Sequence, residues 1–302
     1  MAETVRTAAG RCKARRMDRS TRNSIILGLV TLVVVAAGYA AVQARSQAVL
    51  RTRWPLVSST VRAATAPTDV AAGQHLVQVT GCSLCHGRDL AGKMMAAAGS
   101  PMAAPNLTRA VAKRSDAELD RAIRAGVRPD ATSEFAMPSH VYAAFTDAET
   151  ADIIGYLRTL KSTGAVAVRP PLGVMQKVDL AIGFMHPEAG RIAGAPRPLD
   201  AGAQFQAGRH LASLACAQCH GTDLTGGHGA PGPDLMVRGG YSLAQFRTLM
   251  HDGETPAGRE LGLMSLAARQ NFSHFSDAEV GALYAYLAAR DVKLGPAQKA
   301  SP

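Results

Sequence analysis

Two short segments hold the residues best suited to chemistry: Cys82-Ser-Leu-Cys85-His86 and Cys216-Ala-Gln-Cys219-His220. A Cys-x-x-Cys pair alone fits a zinc site, a redox disulfide or covalent haem attachment. The histidine directly after the second cysteine separates these readings. Two thiols one helical turn apart match the two vinyl groups of a haem, and the next residue sets an imidazole beneath the iron. A tetrahedral zinc site has no need of His at that offset twice. A thioredoxin-like motif wants a βαβ context that the sequence lacks. The spacing therefore predicts two covalently bound haem c groups, with His86 and His220 each supplying one axial ligand. The fifth cysteine, Cys12, precedes an apolar run and reads as incidental.

The other axial ligand must come from the C-terminal half of each unit. In the first, Met137 stands in Phe135-Ala136-Met137-Pro138, where the proline stiffens the loop. In the second, Met264 stands in Leu263-Met264-Ser265. His140 is the alternative in the first unit, and His251 or His274 in the second. Of the remaining methionines, Met94, Met95, Met102 and Met236 read as core filler. Thioether and imidazole together fill both axial positions, which favours electron transfer over chemistry on a substrate. No Ser/His/Asp set, paired-carboxylate site or phosphate-binding glycine loop stands out. The run Gly226-Gly227-His228-Gly229 reads as a loop flanking the haem.

The elements that position these residues come in two copies. Cys82–Gly92 reads CSLCHGRDLAG and Cys216–Gly226 reads CAQCHGTDLTG. Gly73 and Leu76 match Gly208 and Leu211 upstream. Pro105-Asn106-Leu107 matches Pro233-Asp234-Leu235 downstream, and Phe145–Glu149 matches Phe275–Glu279. The first copy has the longer loop between its motif histidine and its proline. Each copy reads as three helices: one entering the motif, a middle one from Ser115 or near Ser242, and a last one from Thr146 or Ser276. Ser115, Thr146 and Ser276 each precede a Glu by three residues, which is the capping-box pattern. His75 and His210 occupy equivalent places in the first helices and read as packing or surface residues.

These motifs resemble class I c-type cytochromes over residues 69–162 and 200–290. The resemblance implies an all-α fold, with two tandem cytochrome c domains following an N-terminal transmembrane helix. It also implies that the first and last helices cross beside the haem, at Gly73/Tyr156 and Gly208/Tyr286. It further implies that backbone carbonyls at Pro105 and Pro233 accept the imidazole N–H of the haem histidines, a bond that fixes the ring. Gly126-Val-Arg-Pro-Asp130 leading to Met137-Pro138, and Gly253-Glu-Thr-Pro-Ala-Gly258-Arg259 leading to Met264, resemble haem domains of cytochrome subunits that accept electrons from periplasmic alcohol and sugar-acid dehydrogenases. The implied role is an electron relay between a dehydrogenase or quinol-side donor and a respiratory acceptor, either an oxidase or a soluble cytochrome. A dihaem cytochrome c peroxidase and a cytochrome subunit of a terminal oxidase are the alternatives. A haem-based sensor has no output domain to support it.

The 302 residues suggest two domains, and 47% hydrophobic against 19% charged residues is enough to bury cores. Aromatics at 5% and few strand-type runs exclude a large β-sandwich. The net charge of +10 is confined to the N-terminus, where residues 1–62 carry eleven Lys/Arg against two acids. The nearly neutral remainder offers no basic patch for nucleic acid. After Arg22, residues Ile25–Val42 form 18 uncharged residues, long enough for roughly 27 Å of helix. The basic flank predicts that the remainder lies outside a bacterial inner membrane, in the periplasm, held by this helix as an anchor. A cleaved signal peptide, with Val42-Gln43-Ala44 as its end, remains the alternative. The expected organisation is a basic segment over 1–24, the anchor over 25–42, a tether over 43–68, domain 1 over 69–163, a linker over 164–200, domain 2 over 201–292 and a tail over 293–302. Trp54 in the tether suits a membrane-interface position or an incidental one.

Overall fold

The computed structural model describes residues 18–63, 67–97, 100–165, 168–226, 231–235 and 240–295. Cys12, His228 and Met236 lie outside them, as does most of the 293–302 tail. The first helix, α1, spans Arg19–Arg51, and the Asp18 side chain caps it by accepting from the Thr21 N–H at 2.7 Å. It runs nine residues past the apolar stretch, through a segment made largely of Ala, Gln, Arg, Val and Leu.

The expected tether is therefore corrected: residues 43–51 are helix, and residues 52–63 are fastened along domain 1. The Trp54 N–H donates to the Ala131 carbonyl at 2.8 Å, and the Arg53 guanidinium donates to the Asp130 carbonyl. Arg121 donates to the Val57 carbonyl, and Val61 is buried in the core. The Trp54 ring lies on Gly190, where an added Cβ would stand 3.0 Å from it. Trp54 thus packs against the protein body, half-buried on Gly190.

Domain 1 contains α2 (Val70–Val79), α3 (Cys82–His86), the strands β1 (Lys93–Ala97) and β2 (Ser100–Ala104), α4 (Leu107–Ala110), α5 (Asp116–Asp120), α6 (Ser139–Tyr142) and α7 (Asp147–Thr159). The linker supplies α8 (Val174–Ile182) and α9 (Glu188–Arg191). Domain 2 contains α10 (Gln206–Leu211), α11 (Ala217–His220), α12 (Leu243–Asp252), α13 (Leu263–Gln270) and α14 (Asp277–Leu294). The fold is two tandem helical domains. Among the described residues, the two-stranded sheet is the antiparallel β1–β2 hairpin, which occupies the longer loop of the first copy. Met94 stands exposed on it, so it is not core filler.

Local sequence explains the helix starts. Ser115/Glu118, Thr146/Glu149, Ser242/Gln245 and Ser276/Glu279 each form a reciprocal capping box. The first and last helices of each domain pack against one another, α2 on α7 and α10 on α14. Glycine is required at both crossings. A Cβ on Gly73 would collide with the Asp152 carbonyl, and one on Gly208 would collide with the Ala282 carbonyl and lie 2.8 Å from the Tyr286 Cβ.

The copies differ by one residue before the motif. Domain 1 breaks its helix at Gly81, which holds φ +81°. Domain 2 has no such residue, and α10 continues through a wide π-type turn over Ala212–Cys216 straight into α11. Apolar side chains of both domains join in one continuous core.

Candidate haem-binding sites

Each motif is set by a loop that folds the same way twice. The Gly92 N–H donates to the His86 carbonyl at 2.8 Å, and the Gly226 N–H to the His220 carbonyl at 2.9 Å. Leu90 and Leu224 both hold positive φ, at 57° and 67°, while buried at 3% and 0% exposure. Left-handed backbone is costly for leucine, so burial of the side chain must offset it. Asp89 and Asp223 accept from the N–H two residues on, at 3.1 Å in each case. These bonds account for the shared Gly-x-Asp-Leu-x-Gly string after each histidine.

The histidines are prepared as neutral ligands. His86 Nδ1 lies 2.8 Å from the Pro105 carbonyl oxygen, and His220 Nδ1 lies 2.6 Å from that of Pro233. Burial lowers the His86 pKa despite the Pro105 bond and the charge of Glu134. Burial does the same at His220 against Pro233 and Asp234. A neutral ring that donates from Nδ1 leaves Nε2 as the metal-binding atom.

The cysteines fit thioether bonds and not thiolate chemistry. Burial pushes the Cys82 thiol up to about 11 and Cys216 up to about 12. A redox dithiol needs the opposite shift. The four motif cysteines form no disulfide, and the described residues contain no cluster of His, Cys, Asp and Glu suited to a bare metal ion. The residues present therefore fit haem c.

Different devices secure the two proline loops. In domain 1, the Asn106 side-chain amide donates to the carbonyls of Thr163 at 2.7 Å and Ala165 at 3.1 Å. In domain 2, Arg290 does this work from α14 while fully buried. Its guanidinium donates to the Leu224 and Leu235 carbonyls and pairs with Asp234 at 3.0 Å. Sequence reasoning missed Arg290, because an arginine in a helix pattern reads as surface. Replacing Arg290 by Met leaves Asp234 and two carbonyls without their partner. We expect a loss of about 3–5 kcal/mol in domain 2, measured as a lower urea midpoint for that domain.

The loops bearing Met137 and Met264 are closed alike. A single antiparallel bridge joins Val127 to Ser133, and another joins Glu254 to Glu260. Each begins after a left-handed glycine, Gly126 or Gly253, and each ends four residues before the methionine. Met137 precedes α6, with Pro138 as its cap, whereas Met264 is the second residue of α13. Both are half-buried against the core. Among the alternative ligands, His140 has Nδ1 2.6 Å from Glu188, and His274 is exposed. His251 keeps Nε2 buried without a partner.

The two motifs meet at one seam between the domains. Ser83, inside the first motif, donates to the Asn271 side chain at 3.3 Å. Gln218, inside the second, donates to the Tyr142 hydroxyl at 2.8 Å, and that hydroxyl donates to the Thr80 carbonyl at 3.0 Å. Cys85 lies close enough to Cys219 to raise its pKa, although burial is the larger cause.

Two further pairs cross the seam reciprocally: His75 Nε2 to Glu279 and His210 Nε2 to Glu149, both at 2.7 Å. His75 and His210 are therefore partners between domains. Burial alone would raise both glutamates. At Glu149 the His210 and Thr146 bonds outweigh it, and at Glu279 the Ser276 and His75 bonds do, so both pKa values lie below 4.5. Their contribution is present above the ordinary glutamate range and is lost as pH falls through the lowered values. In a urea titration from pH 7 to 3, the parent's midpoint should drop below about pH 4.5. Glu149→Gln with Glu279→Gln keeps both capping boxes but should flatten that acid limb. An unchanged limb would place the acid sensitivity elsewhere.

Two stretches of the chain, residues 70–161 and 205–291, match the family model described as cytochrome c. Among curated proteins, none matches the chain.

Proposed function

Since the chain belongs to the cytochrome c family and carries two covalently bound haem c groups, one in each matched domain, we propose that this electron-transfer protein is a membrane-anchored periplasmic relay. In this reading it takes electrons from a dehydrogenase of the alcohol or sugar-acid type, or from a quinol-side donor, and passes them to a respiratory acceptor. When bound, each haem supplies a one-electron carrier whose potential follows its axial ligands.

The chain's own residues supply the setting. His86 and His220 offer neutral imidazoles steered by the carbonyls of Pro105 and Pro233. Met137 and Met264 are the proposed thioether ligands. The apolar core behind them keeps water away. The observation that carries the reading is the seam. The Ser83–Asn271 bond ties α3 to the end of α13, and the Gln218–Tyr142 bond ties α11 to α6, so each motif is fastened to the other domain, an arrangement suited to passing charge within the chain. The apolar window of the N-terminal helix is uncovered by protein and apolar enough to span a bilayer, which supports the anchor.

The test uses membranes from cells producing the protein. Haem absorbance is followed after adding a quinol, an alcohol or a sugar acid, and then oxygen. Reduction by at least one donor and reoxidation by oxygen are expected. Rapid peroxide turnover by the purified protein, with no response to any donor, would overturn the relay in favour of a peroxidase.

A further inference from the structure

The linker helix α8 is apolar on two faces. One face is buried in the protein, with Gln176, Leu180 and Ala181 covered. The other carries Val174, Met175, Val178 and Ile182, which fall on one helical stripe. Val174 and Met175 are each 60% exposed and Ile182 is 70% exposed. Beyond the helix, Gly183 turns left-handed, and the Phe184 and Met185 N–H groups close back on the Asp179 carbonyl. That turn presents Phe184 at 78% exposure. A monomer leaves such a face bare only where something else covers it.

The position of α8 identifies what covers it. Among the described residues, α8 is the element that packs along α1. The covered residues of α1 form one stripe, Val42, Gln43, Ser46, Val49 and Leu50. The apolar span ends at Val42, so the contact lies within about 12 Å of the end of the hydrocarbon-length segment. That height is the headgroup layer and its boundary with the acyl chains. Arg45 and Arg51 stay exposed on α1 at this level, and Lys177 flanks the α8 stripe, which suits anionic lipid phosphates.

We propose that α8 and Phe184 form a second membrane contact. In it, α8 lies in the lipid interface beside α1 and sets the orientation of the haem domains to the bilayer. This rests on the reading of α1 as a retained anchor.

Full-length protein with Cys12→Ser is reconstituted into vesicles of phosphatidylcholine and phosphatidylglycerol. A nitroxide is attached at Phe184→Cys, at Val33→Cys within the anchor, or at Val292→Cys on the exposed side of α14. Collision rates with oxygen and with a water-soluble nickel chelate report depth. Phe184 and Val33 should favour oxygen, and Val292 should favour the chelate. A lipid signal at Val33 with a water signal at Phe184 would overturn the α8 contact and leave the anchor standing. Water signals at both would remove the anchor and the contact together. A Phe184 label open to water in vesicles but shielded from both reagents in native membranes would show that a protein partner covers this face, and would likewise overturn the lipid contact.

Discussion

Protein carrying Cys216→Ser with Cys219→Ser should hold one covalent haem where the parent holds two. The Cys216 side chain sits against the core, and His220 is 8% exposed. Haem attached there would be held through Cys216, Cys219 and His220. Its loss removes a large apolar group from a close-packed interior, so domain 2 should lose its cooperative unfolding. The core is continuous through the seam, so domain 1 should also unfold at lower urea. Intact mass of the mature chain reads the haem count directly. Cys12→Ser should leave that count at two. A double variant that keeps two covalent haems would remove the assignment of the second motif.

The second large effect concerns the methionines. Met264→Ala should lower the potential of the second haem by on the order of 100 mV, about 2.3 kcal/mol for one electron. The reason is that a neutral, soft thioether favours ferrous iron. The first haem should keep its potential, because the bridge at Val127 and Ser133 closes the Met137 loop within domain 1. Met137→Ala should do the converse, and Met137→His should keep that haem low-spin at a lower potential. Potentiometric titration with spectra at each step separates the two centres. If Met264→Ala changes neither spectrum nor potential, His251 is the next ligand to test, since its Nε2 is buried without a partner.

Much of this was legible in the sequence because it is decided locally. The caps at Ser115, Thr146 and Ser276 each need only a glutamate three residues on. The loops after His86 and His220 depend on bonds spanning a few residues. The remainder depends on partners distant in sequence. His75 meets Glu279 across 204 residues, and no local pattern marks either one as waiting for the other.

Glu188 was also invisible. It belongs to a linker, yet it is 2% exposed and accepts from both the His140 backbone and its ring. It fastens the linker to the turn just after Met137. The extension of α1 to Arg51 follows from its packing on α8, and residues 52–63 are ordered by groups of domain 1. Composition reports none of those contacts.

The reciprocity of His75 with Glu279 and His210 with Glu149 has the form of an isologous interface, in which one patch meets its own counterpart about a two-fold axis. Such a surface belongs to homodimers. Here the two subunits are written into one polypeptide, and the geometry is that of a self-pairing single domain fused end to end. Fusion frees the halves from identity. A homodimer must carry every substitution twice, whereas this chain can place a hairpin, the Glu188 clamp or the Arg290 anchor in one half alone. The two centres can therefore be tuned apart in potential while the His75–Glu279 and His210–Glu149 pairs keep their two-fold relation.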